Sequence, residues 1–177
     1  MFIFTFMKLD YAQEWPQFFT ATIQDWKYLL AEDGYKNIIM ECLQFLVKEN
    51  RVKIIGFVIM SNHVHFIWQA KGNNKIKEVQ TSFIKFTSRK FMQLLQTENK
   101  IKDFEVKLGD RKYHFWQRNS LSIELFTPAV LLQKLNYIHL NPVRAGLCKF
   151  AADYYFSSAL YYEKGIDSFN LLEHYLG

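Results

Sequence analysis

Little in this 177-residue chain divides it or ties it together covalently. Three prolines and seven glycines leave few places for a linker, and no Pro/Gly-rich tract, low-complexity stretch or internal repeat is visible. Two cysteines, Cys42 and Cys148, match no CxxC spacing and make no disulfide framework. They read as reduced thiols of a cytoplasmic protein. No apolar run approaches the ~20 residues that a membrane helix needs. The apolar start MFIFTF has no basic region before it and is too short for a secretory signal. These absences lead to an expected cytoplasmic location with no membrane partner.

What is present is a core and a basic surface. Half the residues are hydrophobic, which rules out wholesale disorder, and aromatic residues reach 18%. Most of those rings must be core, which leaves some as candidate base-stacking platforms. The net charge of +5 suits a polyanionic partner, because Lys and Arg on a nucleic-acid-binding face release condensed counterions. The length suits one compact domain. Its expected limits are 17–150, with an N-terminal extension over 1–16 and a C-terminal tail over 151–177 packed on or near it.

Periodicity assigns the elements. Residues 17–25 (QFFTATIQD) read as a strand, and 36–49 carry apolar residues at helical spacing. Residues 52–60 (VKIIGFVIM) form a run too apolar for an edge strand and read as a central one. Ser61-Asn62 is a turn candidate, and 63–69 resume as a strand, so 52–69 is a hairpin. Residues 74–96 read as a long helix, 97–112 as a charged loop, and 113–118 and 121–126 as extended. Thr127 then caps a helix whose first residue is Pro128. It is expected to end near Leu140, because Pro142 disfavours helical backbone at Asn141. The order β-α-β-β-α-β-α gives an α+β fold, an antiparallel sheet with helices packed on one face.

Two segments carry chemistry. In Met60-Ser61-Asn62-His63-Val64-His65 the two histidines are two apart on a strand, so they leave the same face and aim two imidazoles at one point. In Tyr137-Ile138-His139-Leu140-Asn141-Pro142-Val143-Arg144-Ala145-Gly146-Leu147, Tyr137 and Asn141 are four apart and share a helix face. Leu131, Leu135 and Ile138 point elsewhere and anchor that helix on the sheet. Taken alone, a tyrosine on a helix is ordinarily a core or rim residue and Asn-Pro ordinarily a turn. The Asn141 carbonyl offers a hard oxygen ligand to a metal. His139, two residues from Tyr137, points away from it and reads as structural.

Together the segments resemble the REP-associated tyrosine transposases, single-tyrosine HUH enzymes of the insertion-sequence type. Trp116-Gln117-Arg118, Lys85, Ser157-Ser158 and Tyr161 are also similar to that family, and the likeness spans roughly residues 17–162. Ser61 departs from it, standing where the family usually has proline. The resemblance implies a ferredoxin-like or RRM-like sandwich. It implies that His63, His65 and Asn141 bind Mg²⁺ or Mn²⁺, which polarises a scissile phosphate. It implies that Tyr137 attacks phosphorus to give a covalent 5′-phosphotyrosine and a free 3′-OH, which later rejoins strands. The expected partner is single-stranded DNA with hairpin or palindromic repeats. Lys85, Arg89, Arg118 and Arg144 are the candidate phosphate contacts. Relatives include monomers and dimers, so a homodimer is one expected form. Three rivals stand beside this reading: an HUH replication initiator or relaxase, a non-catalytic single-strand-binding module, and a metal-dependent hydrolase using water.

Overall fold

The computed structural model describes residues 14–108 and 111–176. Most of the expected extension over 1–16, its first thirteen residues, lies outside them. In chain order the elements are β1 (Gln17–Thr22), α1 (Asp33–Lys48), β2 (Val52–Ile59), β3 (His63–Ala70), α2 (Ile76–Thr97), β4 (Glu105–Leu108), β5 (Arg111–Tyr113), β6 (Leu121–Glu124), α3 (Pro128–Arg144) and α4 (Ala159–Lys164). Four strands form an antiparallel sheet in the order β2-β3-β1-β6. This is the expected α+β, ferredoxin-like arrangement. The segment read as a charged loop contains a small hairpin, β4 with β5. No helix of the described residues is long and apolar enough to cross a membrane.

Strand alternation sends side chains to two faces. Phe19 of β1 and Val64, Phe66 and Trp68 of β3 enter the larger core, under Ile39, Leu43 and Leu46 of α1 and Val79, Phe83 and Phe91 of α2. This is the expected layer of helices on one face. Phe18, Ile55, Val58 and Ile67 point the other way, and α3 covers them with Leu131, Leu135 and Ile138. Those three α3 residues are at most 6% exposed, and burial of such side chains contributes about 1.5–3 kcal/mol each. The sheet is therefore covered on both faces, because the apolar stripe of α3 matches the odd-numbered residues of β3.

Two expectations are corrected. β2 is the outermost strand of the sheet, not a central one. It is buried because the C-terminal tail covers its free edge: Ile59 N donates to Phe156 O at 2.9 Å, Ser158 N to Phe57 O at 3.0 Å and Glu173 N to Ile54 O at 2.9 Å. The last helix does not stop near Leu140 but runs through Pro142 to Arg144. The proline falls in the last turn, where its missing N–H removes a single helical bond, and its ring is buried. Gly146, with φ of 71°, then ends the helix in left-handed backbone while Leu147 N donates to Pro142 O at 2.9 Å. The helix start is as expected: Thr127 Oγ1 accepts from Val130 N at 3.3 Å, and Pro128 is its first residue.

Candidate active site

β3 supplies the histidines. His63 and His65 leave the α3 face of the sheet together, with ring centroids 4.9 Å apart. β1 runs alongside, placing Thr22 opposite His63 and Thr20 opposite His65. His65 is 5% exposed and stacks on Phe18 at 5.2 Å between centroids. Its Nδ1 lies 2.7 Å from Thr20 Oγ1, and its Nε2 is buried without a hydrogen-bond partner among the described residues. An orphaned buried nitrogen is costly, about 1–3 kcal/mol of lost solvation, and a ligand on that atom would offset the cost. His63 Nδ1 lies 2.7 Å from Asn62 Oδ1. An amide oxygen only accepts, so Nδ1 carries the proton and the Nε2 lone pair is free.

Burial holds both imidazoles neutral. It pushes the His65 pKa down to about 3, assisted by the neighbouring His63 and Lys134, and it lowers that of His63. Neutral imidazole is the state that ligates a metal. Among the described residues, no group of three or more His, Cys, Asp or Glu stands together. A metal here would take the two imidazoles plus a donor of another kind, such as an amide oxygen. That donor set fits a divalent ion.

α3 supplies the tyrosine. Tyr137 is 40% exposed, its ring 5.4 Å from that of His65 and 6.1 Å from Phe18. Two cations flank it. Lys134 Nζ stands 4.9 Å from the Phe18 ring centre and 5.9 Å from that of Tyr137, and Arg144 Cζ lies 5.8 Å from the Tyr137 ring. Neither forms an ion pair among the described residues. Asn141 lies one turn beyond Tyr137 on the same helical face, half-buried, and its carboxamide makes no hydrogen bond among the described residues.

The placement of α3 rests on more than its apolar stripe. His139 Nε2 lies 2.8 Å from Ser158 Oγ, which accepts from Phe57 N at 2.9 Å. His139 therefore ties the helix to β2 through the tail, and burial pushes its pKa down to about 4. It is structural, as its direction along the helix suggested. Gly56 of β2 admits the helix closely: a Cβ there would lie 2.6 Å from Leu135 Cδ1.

Of the candidate phosphate contacts, Arg144 stands at the tyrosine. Arg118 is exposed and follows Gln117, whose N donates to Thr22 O at 2.7 Å. It thus stands at the end of the sheet where Thr22 faces His63. Lys85 and Arg89 are exposed on α2, which packs on the opposite face, so the fold does not bring them into the Tyr137 cluster. Sequence reasoning missed Thr20, Phe18 and Lys134. Lys134 had a signal, since it precedes Tyr137 by three and shares its side of the helix. Thr20 had none, because its role depends on the register of β1 against β3.

Residues 23–139 match the model of the IS200-like transposase family. A solved structure of a REP-associated tyrosine transposase bound to a REP hairpin is similar with a TM-score of 0.64, at 17% identity, over 92% of this chain and 88% of that one. It shows the same fold. A crystal structure of an inferred transposase from Deinococcus radiodurans aligns at 11% identity and a TM-score of 0.47, over 75% of this chain and 95% of that one. No curated protein matches the sequence.

Proposed function

The chain belongs to the IS200-like transposase family, and on that premise we propose that it cuts and rejoins single-stranded DNA through a covalent 5′-phosphotyrosine on Tyr137. The observation that carries this reading is the approach of the Tyr137 ring to 5.4 Å from His65, a buried imidazole whose Nε2 has no partner among the described residues. His63 and His65 would hold a divalent ion, Mg²⁺ or Mn²⁺, with Asn141 as the third protein ligand. When bound, such an ion polarises the scissile phosphate and fixes its oxygens.

The chain's own residues do the rest. The Tyr137 oxygen bonds to phosphorus as the P–O3′ bond breaks. The proton lost by the phenol balances the one gained by the departing 3′ oxygen. Lys134 and Arg144, beside the ring and without an ion pair among the described residues, stabilise negative charge as it develops on the phenol and phosphate oxygens. The bond energy is kept in the phosphotyrosine, so a 3′-OH can reverse the step and join strands. Arg118 steers the strand along the sheet end, and Lys85 and Arg89 contact DNA away from the reacting phosphate. The similar solved protein is bound to a REP hairpin, which supports a hairpin-bearing partner here.

The test is adduct formation with hairpin-bearing single-stranded DNA and Mn²⁺, read on denaturing gels. The wild type is expected to become covalently attached to DNA. Tyr137→Phe removes one oxygen from a partly exposed ring, so it should fold and bind but form no adduct. Cleavage without an adduct in this variant would make water the nucleophile, and a persistent adduct would move the nucleophile elsewhere. Duplex of the same sequence should be a poor substrate, because entry requires unpairing at a cost of a few kcal/mol.

A further inference from the structure

Asp25 and Trp26 are consecutive residues in left-handed backbone, each with φ of 56°. That region is unfavourable for any residue with a Cβ, and a bulky side chain is a rare occupant. The strained turn does not bury its tryptophan. Trp26 is 60% exposed and its ring touches no aromatic or cationic group among the described residues. Tyr28, two residues on, is 71% exposed.

The turn is tied to the histidine site. Asn62 Nδ2 donates to the Trp26 carbonyl at 3.3 Å, while Asn62 Oδ1 accepts from His63 Nδ1 at 2.7 Å. One side chain thus fixes the position of the Trp26 backbone and the orientation of the His63 ring. Backbone bonds lock the two turns together: Ile23 N donates to Asn62 O at 2.8 Å and Leu30 N to Ser61 O at 2.9 Å. Backbone strain that persists because its surroundings over-determine it points to a functional site.

We propose that Trp26 is the stacking platform for an unpaired nucleobase beside the scissile phosphate, a base-binding subsite held in register with His63 through Asn62. This rests on the single-strand chemistry proposed above. The occupant is a base rather than a phosphate, because the turn's own acidic charge is the exposed Asp25 carboxylate, held 2.8 Å from Gln24 Nε2, which repels the backbone at the indole. Lys27 does not offset it, since its ammonium is directed to Asp103 O and the Phe104 ring. An indole face accepts any base, so the subsite grips the strand without selecting sequence.

The test is binding of oligothymidylate about a dozen nucleotides long, in the absence of divalent metal, read by anisotropy of the labelled strand. Loss of one stacked base weakens binding roughly 5- to 150-fold, so Trp26→Ala should fall in that range and Trp26→Phe should keep most of the affinity. Trp26→Gly suits the left-handed turn. It should bind as weakly as Trp26→Ala while its melting temperature is unchanged or raised, which a merely structural tryptophan would not show. Trp15→Ala, an exposed tryptophan at the β6 side of the sheet, should leave affinity unchanged. Trp26→Ala binding within about two-fold of wild type, or an equal loss in Trp15→Ala, would overturn the proposal. In the adduct assay, Trp26→Ala should raise the DNA concentration needed but reach the wild-type rate at saturation. A lower saturating rate with unchanged affinity would also overturn it. If Tyr137→Phe still forms an adduct, the nucleophile assignment fails while the affinity result stands.

Discussion

Thr20→Val isolates the support of the proposed metal-binding atoms from the atoms themselves. Thr20 Oγ1 is the partner of His65 Nδ1 at 2.7 Å. With Nε2 holding a metal, Nδ1 must carry the proton and donate to Thr20. Valine keeps the β-branched shape on β1 and removes the acceptor. The protonated Nδ1 then has no partner in a site where His65 is 5% exposed. An unsatisfied buried donor costs about 1–3 kcal/mol. A metal on Nε2 makes the Nδ1–H a stronger donor, so the lost bond to Thr20 counts for more in the metal-bound form than in the free protein, where the ring is neutral and unpolarised. The difference appears as weaker metal binding, on the order of 10- to 100-fold, the usual loss when a histidine ligand loses its outer partner. Titration calorimetry with Mn²⁺ measures it, with His65→Ala as the variant expected to bind nothing. Thermal unfolding checks the fold, each kcal/mol of lost stability shifting the midpoint by about 2–4 °C at this size. A Thr20→Val protein that unfolds normally and binds Mn²⁺ as tightly as wild type would refute the assignment of Nε2 as the ligand atom.

Two further outcomes test how α3 is held. Gly56→Ala would place a Cβ 2.6 Å from Leu135 Cδ1 and 3.1 Å from Ile138 Cδ1; overpacking of this kind costs about 1–3 kcal/mol. The melting temperature should fall by several degrees, and adduct formation should slow because the displaced helix carries Tyr137. The Tyr154 phenol donates to Ile59 O at 2.8 Å, and burial pushes its pKa up to about 12. The unfolded chain loses this proton above pH ~10 while the folded chain keeps it, so stability is full below that pH and declines as pH rises toward 12. The decline should be ~1 kcal/mol per pH unit at most. It should be smaller by that amount in Tyr154→Phe, measured by urea unfolding at pH ~9 and ~11, and equal slopes would show that the phenol is not shielded.

The parts of the fold legible in the sequence were those fixed by local geometry. The spacing of His63 and His65 set their common face, and Thr127-Pro128 set the start of α3. Asn141 followed Tyr137 by one turn whether or not the helix continued. What was not legible depended on distant chain. β2 looked central because every inner-facing position is apolar, yet a covered edge buries its strand as fully as a neighbouring strand does. The cover comes from residues more than ninety positions away, as in the bond from Ser158 to Phe57. Pro142 was read as a stop because its effect on Asn141 is local, while its burial in the last turn of α3 is not. Thr20 and Phe18 became site residues only through the pairing of β1 with β3. Lys85 and Arg89 carried the right charge, but charge does not specify a face, and the apolar stripe of α2 sent them to the side away from Tyr137.

The division of the sheet into two faces explains how a stable core enforces a costly site. Phe19, Phe66 and Trp68 lock β1 and β3 together in the larger core, their rings within 5.1–6.1 Å of one another. Side chains alternate, so the same register that buries Phe66 and Trp68 sends His65 and Ile67 to the α3 face. A slip of one residue would carry both histidines into the α1–α2 core and bring Phe66 and Trp68 under α3. The larger core therefore fixes the partners of His65 without touching it, and its aromatic packing outweighs the penalty of an unsatisfied Nε2. α3 is set separately, by Leu131, Leu135 and Ile138, by the close approach at Gly56 and by the His139–Ser158 contact. Tyr137 and the histidines thus arrive from two independently anchored elements. Their separation is set where α3 meets the sheet, so changes at Gly56 or Ser158 are expected to act on the proposed chemistry without altering a reacting atom.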